Sequence, residues 1–125
     1  MKHLNYKGYT GTIEYSPEDE ILFGKVVGIR GLISYAGARG IDLEIDFKSA
    51  IDEYIYDCKE EGIEPEKPFK GSFNVRIPSQ LHRELAITAI ELNTSQSQLI
   101  GDSVRSYLSI INPNFKGVVK TANRK

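Results

Sequence analysis

The run Ser72-Phe73-Asn74-Val75-Arg76-Ile77 constrains this chain more than any other. Phe73, Val75 and Ile77 alternate with Ser72, Asn74 and Arg76, so a strand here puts the two sets on opposite faces. Pro78 ends that strand, because it cannot donate to a ladder. Two helical patterns follow at once. Ser79 can cap a helix reaching about Leu92, with Leu81, Leu85, Ala89 and Leu92 on one stripe. Asn93 suits a left-handed stop, and Thr94 or Ser95 can cap a second helix carrying Leu99, Ile100, Val104, Leu108 and Ile111. Asn112-Pro113-Asn114 breaks it. A lone strand ahead of two helices leaves its backbone groups without partners, and about 40 residues are too few for a stable isolated core. Both problems vanish if two chains pair their strands antiparallel and interlock their helices. Residues 70–111 are therefore expected to form an obligate dimerisation unit. One face of the paired strands seals a shared core with Phe73, Val75 and Ile77, and the other presents Ser72, Asn74 and Arg76. A two-stranded ribbon of this kind fits the DNA major groove, where Arg can bond guanine, Asn adenine and Ser either base.

The charge distribution points the same way. The formal net charge is only −1, but residues 1–69 hold 8 Lys/Arg against 14 Asp/Glu, a balance of −6. Residues 70–125 hold 8 Lys/Arg against 3 Asp/Glu, a balance of +5. A basic half can meet phosphate and an acidic half a basic protein.

Ahead of that basic half the pattern is of strands and one helix. Tyr9, Gly11, Ile13 and Tyr15 alternate with polar residues, Ile21 to Gly28 is a second strand, and Leu32 to Ala36 a third. Short connections predict a three-stranded antiparallel meander. Asp42 can cap a helix whose buried stripe is Leu43, Phe47, Ala50, Ile51, Tyr54, Ile55 and Cys58, and Gly62 suits a left-handed C-cap with Ile63 packing back. Glu64-Pro65-Glu66-Lys67-Pro68 reads as a linker. The expected organisation is α+β: residues 1–63 a sheet with one helix, 64–69 a linker, 70–111 the strand–helix–helix unit, and 112–125 a basic flexible tail with Lys116, Lys120, Arg124 and Lys125.

The segment GSFNVRIPSQLHRELAITAIELNTSQSQLIGDSVRSYL resembles a ribbon-helix-helix repressor domain. That resemblance implies base reading by Ser72, Asn74 and Arg76, and a phosphate clamp at the turn and second-helix start, residues Asn93, Thr94, Ser95, Gln96 and Ser97. Asn93 stands where glycine is commoner in that family; asparagine tolerates the same backbone. The runs YKGYTGTIEYSPEDEILFGKVVGIRGLISYAG and DFKSAIDEYIYDCKEEG resemble the HicB family of antitoxins. With the ribbon-helix-helix part, the resemblance covers nearly the whole chain. It implies a partial ribonuclease H-like N-terminal unit and binding to a HicA-like toxin, a small basic protein that cleaves messenger RNA with a histidine. It also implies repression of the antitoxin's own operon through operator DNA, as a homodimer or a higher oligomer built from it.

Enzymatic chemistry is not expected. A ribonuclease H-type reaction needs several carboxylates converging on two magnesium ions, whereas Glu14 lies among aromatics, Glu18, Asp19 and Glu20 lie in a turn, and Asp42, Glu44 and Asp46 open a helix. His3 and His82 have no neighbouring Ser, Cys or His pattern for nucleophilic catalysis, and the glycines form no phosphate loop. With one cysteine there is no internal disulfide or cysteine-based metal site; Cys58 reads as an apolar filler, and no cofactor is expected. No apolar run approaches the roughly 20 residues that span a bilayer and no signal-peptide pattern opens the chain, so a cytoplasmic location is expected. Two competing readings are an orphan ribbon-helix-helix regulator whose N-terminal unit senses a ligand or protein, and a divergent nuclease.

Overall fold

A computed structural model describes residues 2–116 and divides into two compact units, the first ending at Phe73 and the second beginning at Asn74. The architecture is α+β, with five antiparallel strands and three helices among the described residues. The basic residues Lys120, Arg124 and Lys125 of the expected tail lie outside the described residues.

Five strands stand where three were expected. β1 (Leu4–Tyr6) is the addition. It pairs with β2 (Tyr9–Gly11) through a two-residue turn in which Lys7 and Gly8 both take positive φ, 51° and 84°. That geometry matches the twist of a hairpin. The expected first strand is divided into β2 and β3 (Glu14–Ser16), and both pair with β4 (Ile21–Val27). The register does not slip between them: Gly11 faces Val26 and Glu14 faces Phe23, so no residue is inserted. The interruption is chemical. The Thr12 carbonyl accepts a hydrogen bond from the Tyr35 hydroxyl at 2.8 Å, and the Thr12 hydroxyl accepts the Lys25 N–H at 3.0 Å in the carbonyl's place. Gly24 makes this possible, because a Cβ there would overlap the Thr12 carbonyl oxygen. β5 (Ser34–Gly37) pairs with β4 on the side away from β3 and begins two residues later than expected.

α1 (Gly40–Glu61) covers one face of this sheet. Leu43, Phe47, Ile51 and Cys58 are buried, with Ala50, Tyr54 and Ile55 packed against the core, as the helical spacing predicts. Phe47 is 0% exposed and meets Tyr35 edge-on, ring centroids 5.0 Å apart. Asp42 is not the N-cap. The helix begins three residues earlier, with Arg39 in the capping position, and Asp42 pairs with the Arg39 guanidinium at 2.8 Å inside the first turn. There the carboxylate suits the helix dipole. At the other end Gly62 takes φ 72°. Its N–H reaches the Lys59 carbonyl and the Ile63 N–H reaches that of Cys58, a Schellman closure. Ile63 itself stays more than half exposed.

Residues 64–69 form no regular element, yet they are tied to the first unit. Glu66 donates its N–H to the Tyr54 hydroxyl and accepts the Tyr9 hydroxyl at its carbonyl, both at 2.8 Å. Its carboxylate accepts the N–H groups of Arg30 and Gly31 at 2.8 and 2.9 Å. These two amides hold the Glu66 carboxyl below the usual carboxylate range. Phe69 donates its N–H to the Gly28 carbonyl.

The second unit consists of α2 (Ser79–Glu91) and α3 (Gln96–Ile111). Pro78, not Ser79, occupies the N-cap position of α2, and no side chain caps it. Proline's fixed φ and extended ψ supply the non-helical entry, which moves Ser79 into the first turn. Asn93 takes φ 55°, with the Asn93 N–H on the Ile90 carbonyl and the Thr94 N–H on that of Ala89, a second Schellman closure. Asn112 ends α3 as the break at Pro113 predicts.

Candidate nucleic-acid interface

The residues expected to read bases lie where the second unit begins. Ser72, Asn74 and Arg76 are all exposed. Among the described residues, 72–77 pair with no strand, so their backbone groups have no ladder. The apolar set that alternates with them is bare too: Phe73 is 83% exposed, and Val75 and Ile77 are also exposed. Asn74, Val75, Arg76 and Ile77 line, with His82, a shallow open concavity of about 420 Å³.

The expected phosphate-contacting residues meet at the α2–α3 turn. Ser95 is the N-cap of α3, its hydroxyl accepting the Gln98 N–H at 2.9 Å. Of the two caps the sequence allowed, it is Ser95 and not Thr94, because the left-handed Asn93 and the Thr94 bond to Ala89 place Ser95 in the extended conformation a cap needs. Gln96 and Ser97 occupy the first two helical positions and are exposed. Helix geometry leaves their N–H groups without an intrahelical acceptor, and the dipole adds partial positive charge there. Such an end binds phosphate oxygens.

The packing of this unit is incomplete. Ala89 is its only buried residue among those described, and α3 has none. Ile90 is 78% and Ile110 75% exposed, and Leu81, Leu92, Val104 and Tyr107 are bare as well. Burying each such side chain contributes about 1.5–3 kcal/mol, a gain the isolated unit does not make.

Residues 54–102 match the HicB family model. The match runs from the second half of α1 through the strap at Glu66, residues 72–77 and α2 into the first half of α3. It supports membership of that family and is consistent, at the family level, with an antitoxin. No curated protein and no solved structure matches the chain at a significant level.

Other sequence candidates fall into structural places. Asp52 accepts hydrogen bonds from Lys7 at 2.8 Å and from the Tyr6 hydroxyl at 3.0 Å, which anchors the β1–β2 hairpin to α1. The Lys7 ammonium holds the Asp52 carboxyl below its usual range. Asp46 accepts the Ala36 N–H at 2.9 Å. Cys58 is buried and unpaired. Among the described residues no three His, Cys, Asp or Glu side chains are grouped to hold a metal ion, and no helix is long and apolar enough to cross a membrane. Glu66 was missed by sequence reasoning as anything more than linker. Its amide partners lie 35 and 36 residues away, and no local pattern signals them.

Proposed function

We propose that this chain is a HicB-type antitoxin that represses its own operon as a ribbon-helix-helix dimer and neutralises a HicA-like ribonuclease toxin through its acidic N-terminal unit. The observation that carries the reading is the second unit: two helices joined by a Schellman turn and a serine cap, behind an alternating segment, with one buried residue among those described. A unit with that composition needs another chain. A second copy supplies the antiparallel partner for residues 72–77 and the opposing helices for Ile90, Val104 and Ile110. The HicB match across residues 54–102 supports the same assignment.

In that dimer, Arg76, Asn74 and Ser72 of both copies enter the major groove. Arg and Asn discriminate because their forked polar ends match the paired acceptors of guanine and the donor–acceptor pair of adenine. Thr94, Ser95, Gln96 and Ser97 fix the register at the α3 N-terminus, where N–H groups donate hydrogen bonds to DNA phosphates, contacts that carry no sequence information. The five-stranded unit is taken as the partial ribonuclease H-like, toxin-binding domain, its role binding and not catalysis. The reading places the chain in the cytoplasm, where operator and messenger RNA are found.

The test joins two measurements on the full chain. Sedimentation at micromolar concentration gives a dimer, and titration against the DNA upstream of its own gene gives sequence-dependent binding that weakens steeply with salt. A folded monomer, or equal affinity for scrambled DNA, removes the repressor reading.

A further inference from the structure

Residues 64–69 have the composition of a linker, but five hydrogen bonds among the described residues pin them to the first unit at two points. The first point is Glu66. Its N–H donates to the Tyr54 hydroxyl on α1, its carbonyl accepts the Tyr9 hydroxyl from β2, and its carboxylate accepts the Arg30 and Gly31 N–H groups of the β4–β5 connection. The second point is Phe69. Its N–H donates to the Gly28 carbonyl, and its ring carbons lie 2.5–2.8 Å from where a Cβ on Gly28 would stand. A glycine at 28 therefore makes the seat for that ring. Pro65 and Pro68 bracket the first point, and their fixed φ lowers the entropy lost when the strap is ordered.

Two features separate this strap from a permanent part of the core. Phe69 takes φ 54°, a left-handed backbone that a bulky residue holds only under restraint. Its side chain also stays 62% exposed, so burial does little to keep it seated. Hydrogen bonds made in exchange for water and the ordering of six residues are opposing contributions of the same order. Such a balance lets the strap open while α1 and the sheet stay folded. Opening changes the length of free chain. With the strap seated, Lys70 and Gly71 alone separate Phe69 from the alternating segment that begins at Ser72, at most about 10 Å of extended chain. Gly71 takes φ 93° with open space where a side chain would stand, the freedom of a hinge. With the strap released, the last fixed residue is Ile63, bonded to the Cys58 carbonyl, and the span to Ser72 grows to about 30 Å.

We infer that residues 64–69 are a latch that sets the tether between the two units, short while Glu66 and Phe69 are seated and about three times longer when they are released. Its regulatory consequence rests on the repressor reading: the latch keeps whatever the first unit binds close to the base-reading segment, so that binding at one unit is felt at the other. Effective concentration falls roughly as the −3/2 power of tether length, so release weakens that coupling by roughly fivefold.

The experiment compares the full chain with its Glu66→Ala variant, first by native-state amide exchange. In wild type the Arg30, Gly31, Glu66 and Phe69 N–H groups are protected, but less than those of Phe47 and Ile51 in α1, because the latch opens ahead of unfolding. In Glu66→Ala the Arg30, Gly31 and Phe69 amides exchange at least about tenfold faster, while Phe47 and Ile51 remain the slowest, which shows the variant folded. Unprotected Arg30 and Gly31 amides in wild type overturn the latch. Exchange there as slow as at Phe47 overturns it too, by making the strap a fixed part of the core. Operator affinity is then measured with and without the protein encoded by the neighbouring reading frame. The change that protein causes in wild type shrinks roughly fivefold in Glu66→Ala, whose affinity for operator alone holds. No change in wild type, or an equal change in both chains, overturns the regulatory role. Absence of sequence-dependent DNA binding by wild type overturns the repressor reading instead, and the amide exchange still decides the latch.

Discussion

The two units solve the same problem, hiding apolar side chains, with opposite outcomes. The first closes its core within one chain: a sheet whose inner face carries Leu4, Tyr9, Val26 and Tyr35 is covered by the Leu43–Phe47–Ile51 stripe of α1. The second has helices just as well terminated, by a Schellman turn at Asn93 and a serine cap at Ser95, but buries only Ala89 among its described residues. Helix formation and core formation are thus separable. Caps and periodicity set where helices begin and end, whereas burial depends on what lies opposite, and the described residues of the second unit place nothing opposite its bare apolar side chains.

The sharpest way to break that comparison is Val75→Asp. In the dimer this puts a charge into the shared core, costing about 3–5 kcal/mol per chain. The second unit is expected to lose its helices while the first stays folded; sedimentation with circular dichroism shows a monomer with reduced helicity. If the variant remains a fully helical dimer, Val75 does not face a shared core. Phe47→Ala is the mirror experiment, expected to destabilise the first unit by about 3–5 kcal/mol. Its denaturant midpoint should fall with little change in a dimer held by the second unit.

Smaller effects separate the surfaces. Arg76→Ala is expected to cost about 1–3 kcal/mol per lost bidentate base contact and to relax preference at that base. Ser95→Ala costs about 1 kcal/mol of helix capping and weakens binding to operator and scrambled DNA alike. Titration of both variants against both DNAs at fixed salt is the measurement, and identical selectivity profiles for the two would merge the roles assigned to them. The smallest effect concerns the Glu66 strap. Its folded carboxyl lies below the ordinary range, so its contribution is fully present above the unfolded value and is lost as pH falls through the folded one. Thermal melts of the first unit should therefore lose stability on acidification through and below the usual carboxylate range. Glu66→Gln should start lower at neutral pH and show a shallower slope; an unchanged slope assigns the pH dependence to Asp42 and Asp52.

Periodicity and caps made much of this protein legible in its sequence. The α1 stripe, the left-handed positions at Gly62 and Asn93 and the end of α3 at Asn112 all follow from spacing and local stereochemistry. These are interactions within a few residues, which is why one-dimensional patterns carry them. What tertiary structure alone decided is long-range. The split of the first strand depends on the Tyr35 hydroxyl reaching the Thr12 carbonyl across 23 residues. The hairpin β1–β2 is held by Asp52 across 45 and 46 residues. The strap is held by amides that only the folded Arg30–Gly31 turn presents to Glu66. A side chain's type and spacing set the face it occupies, and the fold sets the partner it finds there.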